Sequence, residues 1–220
     1  LYSRFITKVL YDLGYINFNE PFKNLFTQGM IVKNGAKMSK SKGNVVSPDE
    51  LIEKYGADTQ RLYTLFISPP QRDAEWNDRG VIGSYRFLNR LWELATKHED
   101  MFRLAKRENI NIKKLDHESR DLYRKTHVTI KKVTDDIENS WHFNTAIAAV
   151  MELLNLAESY NVPNDVKDET SLQRFNVFRE FMESAIVLLA PFVPHIFEEM
   201  WEMMGKSPSI FAENWPLYNE

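Results

Sequence analysis

"VIGSYRFLNRLWELA" (81–95) places Val81, Tyr85, Leu88, Trp92 and Ala95 at steps of 4, 3, 4 and 3. On an α-helix such steps return to one face, so the run predicts a long helix with a single apolar stripe. The pattern recurs downstream. Ile130, Val133, Ile137 and Trp141 form a second stripe; Phe143, Ile147, Val150, Leu154 and Ala157 form a third; Phe175, Phe178, Met182, Ala185 and Leu189 form a fourth. A last helix with Ile196, Met200 and Met203 follows "APFVP" (190–194), and the connection over 161–171 is polar, with Pro163. Residues 76–220 therefore read as an α-helical bundle.

Upstream the character changes. Residues 2–13 read as a helix, with Phe5, Val9 and Leu13 spaced by four and Gly14 ending it. After the turn "NFNEP" (17–21), "LFTQGMIV" (25–32) is a β-like run with Asn34-Gly35 as a turn signal behind it. Ser47 offers a capping oxygen before Pro48, Asp49 and Glu50, so a helix should start there and stop at Tyr55-Gly56. Asp58 is expected to cap the next helix, which carries Leu62, Leu65 and Phe66 and breaks at "SPP" (68–70). The fold class is mainly α, a C-terminal helical bundle preceded by a small α/β segment over residues 1–75.

The 220 residues are 43% hydrophobic and 27% charged, as in ordinary globular proteins. No apolar run has the length needed to span a membrane, and Arg4, Lys8 and Asp12 interrupt the N-terminal segment, which excludes a signal peptide. With no cysteine, disulfides and cysteine-ligated zinc are excluded. His98, His117, His127, His142 and His195 show no short metal spacing, so no metal ligands are expected. A cytoplasmic location is compatible with this. Residue 1 is leucine rather than methionine, which suggests a piece of something longer.

Charge is uneven. Residues 1–48 hold seven Lys/Arg against two Asp/Glu, net +5, and the remainder is net −8. The anion-binding surface is therefore expected near the N-terminus, and the acidic remainder argues against indiscriminate coating of nucleic acid. "GAKMSKSKGN" (35–44) concentrates the positive charge. Its glycines let the backbone bend and approach a ligand. Lys37, Lys40 and Lys42 supply ammonium groups, and Ser39 and Ser41 supply hydroxyls, which is what an oligophosphate needs. A solvated basic turn explains the same residues. Met38 argues for an ordered loop, because an apolar residue among charges needs something to pack on. The P-loop pattern is absent.

"KMSKS" (37–41), followed by "KGNVVSPDELIEKYGADTQRL" (42–62), resembles the second signature of the class I aminoacyl-tRNA synthetases. "LFTQGM", "LFISPPQRDAEWND", "YRFLNRLW", "HFNTAIAAVMELLN" and "LAPFVPHIFEEMW" resemble the leucyl family in its bacterial form, and the likeness covers essentially the whole chain. The valyl, isoleucyl and methionyl enzymes share the loop and "EKYGAD" but are less similar at the flanks. Ala74 departs from the family's more usual "DLEW".

The resemblance implies that residues 1–75 are the end of a Rossmann-like catalytic domain and that 76–220 are an anticodon-binding-type bundle. It implies activation of leucine by ATP, accompanied by Mg2+, and transfer to tRNA(Leu). Lys40, the second signature lysine, is expected to stabilise charge on the leaving pyrophosphate, with Lys37 in a lesser role. Met38 is expected to pack toward the nucleotide, and Ser39 and Ser41 to shape the loop. No carboxylate cluster stands ready for the magnesium. The family's His-x-Gly-His signature, most of its leucine pocket and its editing domain are not in these residues, and the family continues past "ENWPLYNE" (213–220) into a small further domain. The fragment is therefore expected to be inactive alone. A non-catalytic RNA-binding or structural module is the alternative.

Arg79, Arg86, Arg90, Lys125, Lys131 and Lys132 are candidate contacts to a tRNA backbone, against the ordinary reading of scattered surface cations. Trp76 reads as a brace at the junction or as plain core. His142, His195 and the Met203-Met204 pair read as structural.

Overall fold

A computed structural model describes residues 1–219. Its helices are α1 (Tyr2–Asp12), α2 (Pro48–Tyr55), α3 (Ala57–Phe66), α4 (Asp78–Lys97), α5 (Glu99–Leu104), α6 (His117–Asp135), α7 (Phe143–Ser159), α8 (Glu169–Leu189) and α9 (Pro194–Met203). Three short strands, β1 (Ile31–Lys33), β2 (Ala36–Lys37) and β3 (Ala74–Glu75), form one sheet in the order β2-β1-β3. β1 pairs with β2 antiparallel and with β3 parallel. The mainly α architecture with a small α/β segment is thus present. Among the described residues no helix is long and apolar enough to cross a membrane.

The core lies among α4, α6, α7, α8 and α9. α8 runs through its middle and, Glu180 apart, is buried from Phe175 to Leu189, its polar residues Asn176, Arg179, Glu183 and Ser184 included. Phe175, Phe178 and Phe181 are completely buried, and Phe178 meets Phe102, Phe175, Phe181 and His98 ring to ring. Each such side chain contributes roughly 1.5–3 kcal/mol through burial alone. The one arginine buried on this helix, Arg179, donates to the carbonyl of Ala105 at 2.8 Å and closes the C-terminal end of α5. A capping box of Asp168 and Ser171 starts α8.

α3 belongs to the same core: Leu62 is fully buried among bundle residues. Its start differs from expectation. Gly56, at φ 83° and ψ 154°, both ends α2 and begins α3, in a region essentially restricted to glycine. Asp58 lies inside the first turn and caps another helix. Its Oδ2 accepts from the Ile196 amide at 2.7 Å and its Oδ1 lies 2.9 Å from His195 Nδ1. Arg61, one turn on, donates to the Phe192 carbonyl at 3.1 Å. "GADTQR" (56–61) thus fastens α3 to the turn before α9. Ser47 precedes α2 as expected, but its side chain makes no capping bond.

Three further patterns shift. In α4 the buried residues are Val81, Ser84, Phe87, Leu88, Leu91 and Ala95, while Tyr85 is exposed. α4 packs on α3, α7 and α9 together, so its inner face is broader and rotated relative to the sequence stripe. The α6 stripe stops short of Trp141. The chain widens into a π-turn over Asp136–Ser140, and Trp141 sits exposed at φ 54°. Its ring stacks on Phe26, with 5.3 Å between centroids, and so braces the N-terminal segment against the bundle. Finally, only residues 31 and 32 of the 25–32 run are strand, which continues to Lys33. Upstream of it, Gly29 N–H donates to the Pro70 carbonyl and Met30 N–H to Asp73 Oδ1, and the Met30 carbonyl accepts from the Ala74 amide.

Of the two readings of Trp76, the contacts fit the brace. It packs edge-on against Tyr63 with 4.9 Å between centroids, its indole N–H donates to Asp78 at 2.8 Å, and Tyr63 OH accepts from the Asn77 amide at 2.9 Å. α3 and α4 meet there.

Candidate functional site

The lysine loop grows from the β1–β2 hairpin. Asn34 and Gly35 both have positive φ, 56° and 67°, as the tightest hairpin turn requires. Lys33 stands opposite Ala36 and Val32 opposite Lys37. After β2 the chain runs extended through Ser39, then closes a single 3-10 turn over Lys40–Lys42. The Lys42 amide donates to the Ser39 carbonyl at 3.1 Å and the Gly43 amide to the Lys40 carbonyl at 3.2 Å. Gly43, at φ 66°, supplies the left-handed residue that turns the chain back, which a side chain would resist.

The five predicted residues come together on this turn. Lys37, Lys40 and Ser41 are exposed, while Met38 and Ser39 are half-buried. The Ser39 and Ser41 hydroxyls lie 3.2 Å apart. Among the described residues, Lys37, Lys40 and Lys42 form no ion pair, whereas Arg90, Lys125, Lys131 and Lys132 all do. The nearest acid in the sheet, Glu75, faces the Gly35 amide at 3.3 Å. The loop is therefore a set of unneutralised donors. That suits phosphate oxygens, which gain from charge-assisted hydrogen bonds. It does not suit a divalent cation, and among the described residues no group of three or more acidic or histidine side chains gathers to hold one.

Sequence reading passed over Asn44. This half-buried side chain accepts from the Ser39 amide at 2.9 Å and donates to the Lys33 carbonyl at 3.1 Å, with longer contacts of 3.4 Å to the carbonyls of Ala36 and Lys37. The available signal was an asparagine at the loop's exit, a residue type that bonds readily to nearby backbone.

The candidate backbone-binding cations are not equivalent. Arg79 and Arg86 are exposed and have no side-chain partner among the described residues. Arg90 is held by Glu158 and Asn155, which lowers the Glu158 carboxyl and raises the guanidinium. Lys125 pairs with Glu152 at 2.9 Å, Lys131 with Asp135 at 2.6 Å and Lys132 with Asp136 at 2.5 Å.

Residues 5–77 match the family described as "tRNA synthetases class I (I, L, M and V)", and residues 119–220 match "Anticodon-binding domain of tRNA ligase". A leucine–tRNA ligase of Petrotoga mobilis is 55% identical over 217 residues, 98% of this chain and 26% of that protein. One of Pseudothermotoga lettingae is 50% identical over the whole chain, again 26% of its own length. The chain thus spans about a quarter of the curated relatives it matches. Among solved structures, the ternary complex of Agrobacterium radiobacter K84 agnB2 LeuRS with tRNA and LeuAMS superposes with a TM-score of 0.81 at 39% identity, covering 99% of this chain and 27% of that one. Mycobacterium tuberculosis methionyl-tRNA synthetase bound by methionyl-adenylate shares the fold, with a TM-score of 0.66 at 22% identity over 83% of this chain and 39% of its own.

Proposed function

The chain belongs to the class I tRNA synthetases, and from that membership we propose that it is the signature-loop and helical-bundle part of a leucine–tRNA ligase. In this reading the full-length protein activates leucine with ATP, releases pyrophosphate and transfers the leucyl group to tRNA(Leu) in the cytoplasm. Residues 1–75 close the catalytic domain and residues 76–220 support the tRNA. The leucine assignment rests on relatives at 50–55% identity along the whole chain, whereas the methionyl enzyme compared above is 22% identical over 83% of it.

The observation that carries the mechanism is the cluster of exposed lysines without carboxylate partners on a turn hung from a hairpin. As the bond between the α- and β-phosphates of ATP breaks, negative charge builds on the departing pyrophosphate. Lys40 at the start of the turn, with Lys37 on the strand before it, meets that charge with ammonium groups that no anion among the described residues neutralises. Such contacts strengthen as the charge grows and so lower the barrier more than they tighten ground-state binding. Ser39 and Ser41 add hydroxyl donors, and half-buried Met38 anchors the segment at the nucleotide. The loop itself offers Mg2+ no carboxylate ligands, so no residue here is assigned to the ion.

Lys40→Ala in the full-length protein is expected to slow leucine-dependent ATP–pyrophosphate exchange on the order of 100–1,000-fold with tRNA affinity unchanged. Unaltered exchange in the variant would show that Lys40 does not meet the reacting phosphates, and no exchange by the unaltered full-length protein would favour the non-catalytic RNA-binding module. The isolated 220-residue chain is expected to give no exchange at all; measurable leucine-dependent exchange by it would overturn the division of labour proposed here.

A further inference from the structure

A loop that presents cations to a reacting phosphate must hold them in register while its own backbone groups stay satisfied. Inside the turn, Ser39 and Lys40 carbonyls accept from Lys42 and Gly43. That leaves the Ser39 amide on the way in, and neither bond ties the turn to the hairpin it hangs from. Asn44 makes the junction. One carboxamide takes the Ser39 N–H at 2.9 Å with its oxygen and gives its nitrogen to the Lys33 carbonyl at 3.1 Å, facing the Ala36 and Lys37 carbonyls as well. The partners fix its orientation, since a flipped amide would set its oxygen against carbonyls. Only an amide offers an acceptor and two donors on so short a stem.

We propose that Asn44 is a positioning residue for the activation reaction: it ties the exit of the lysine turn to its entry and to the hairpin, and so sets where Lys37 and Lys40 meet the phosphates. This rests on the phosphate-clamp reading above. Asn44 acts through the lysines and does not touch substrate. Losing it frees the turn without removing a charge, so the transition state should suffer more than substrate binding.

The test uses Asn44→Ala and the isosteric Asn44→Asp, which keeps the acceptor for Ser39 but turns an oxygen toward three carbonyls. In the 220-residue chain, both are expected to speed tryptic cleavage after Lys37, Lys40 and Lys42 by about tenfold relative to cleavage elsewhere, with the melting temperature of the bundle unchanged. In the full-length protein, both should lower kcat for ATP–pyrophosphate exchange on the order of 10–100-fold with little change in KM for leucine. Combined with Lys40→Ala, Asn44→Ala should add almost nothing, because both act on one contact. Wild-type cleavage of the turn, wild-type kcat or full additivity with Lys40→Ala would each overturn the proposal. A general loss of bundle stability in Asn44→Asp would also overturn it, by marking Asn44 as merely structural. Lys40→Ala with normal exchange would instead sink the underlying phosphate-clamp reading, so the two failures are distinguishable.

Discussion

His98 joins α4 to α5, is only 8% exposed and packs edge-on against Phe178. Burial, aided by the positive charge of Lys97, pulls its pKa below the ordinary 6.5. The folded chain therefore binds a proton less readily than the unfolded chain does. The stability that His98 contributes is complete above pH 6.5 and declines as pH falls below it, until the folded imidazole itself titrates. Thermal melts between pH 7.5 and 5 should show this decline, at no more than about 1.4 kcal/mol per pH unit, and His98→Phe should flatten it. An identical slope in the variant would assign the acid sensitivity elsewhere. Lys40 and Asn44 belong to the same scale. The sequence exposed Lys40 because a cluster of like charges is visible in one dimension. Asn44 was hidden because its partners, Lys33, Ala36 and Ser39, become neighbours only when the hairpin forms.

Among the elements, helix starts were more legible than their caps. The stretch after Ser47 becomes helical as expected though Ser47 makes no capping bond, while Asn77 and Asp168, which the sequence reading did not single out, cap locally by bonds to the amides of Arg79 and Ser171. Asp58 instead caps at long range, 138 residues away in sequence at Ile196. Asp58→Ala should therefore destabilise α9 rather than α3, at a cost of about 1–2 kcal/mol. Asp58→Asn keeps an acceptor for the Ile196 amide and should lose less. Urea denaturation gives the energies, and amide exchange along 194–197 locates the damage; faster exchange confined to α3 would show a local cap after all. Trp141 follows the same logic. A helical count assigned it to the α6 stripe, but the π-turn over Asp136–Ser140 rotates it outward onto Phe26.

At the scale of the whole molecule, the two ends of the chain differ in how much they bury. α8 buries 15 of its 21 residues, whereas on α1 only Thr7 is buried. Phe5, Leu13 and Leu25 are 65%, 64% and 92% exposed. Exposed apolar side chains of this size favour association. The 220-residue chain is expected to self-associate with rising concentration in light scattering, and Phe5→Glu with Leu13→Glu should restore the monomer without changing the bundle's melting temperature. A wild-type chain that stays monomeric across the concentration range would refute this.

Periodicity by itself determined the class of this protein, since apolar residues at 3.6-residue spacing can bury together only on helices, and the stripes of α7 and α8 proved to be core almost residue for residue. The extended lysine motif likewise determined the family, because its residues are contiguous. Tertiary structure alone decided which face of α4 turns inward, which helix Asp58 caps, where Trp141 points and what holds the lysine turn shut. The first three depend on groups far apart in the chain meeting at hydrogen-bonding or packing distance, and the last on the hairpin bringing Lys33 and Ser39 to Asn44. A local pattern carries the propensity to form an element, while the partner that element finds is set by the competition of all the others for the same buried space.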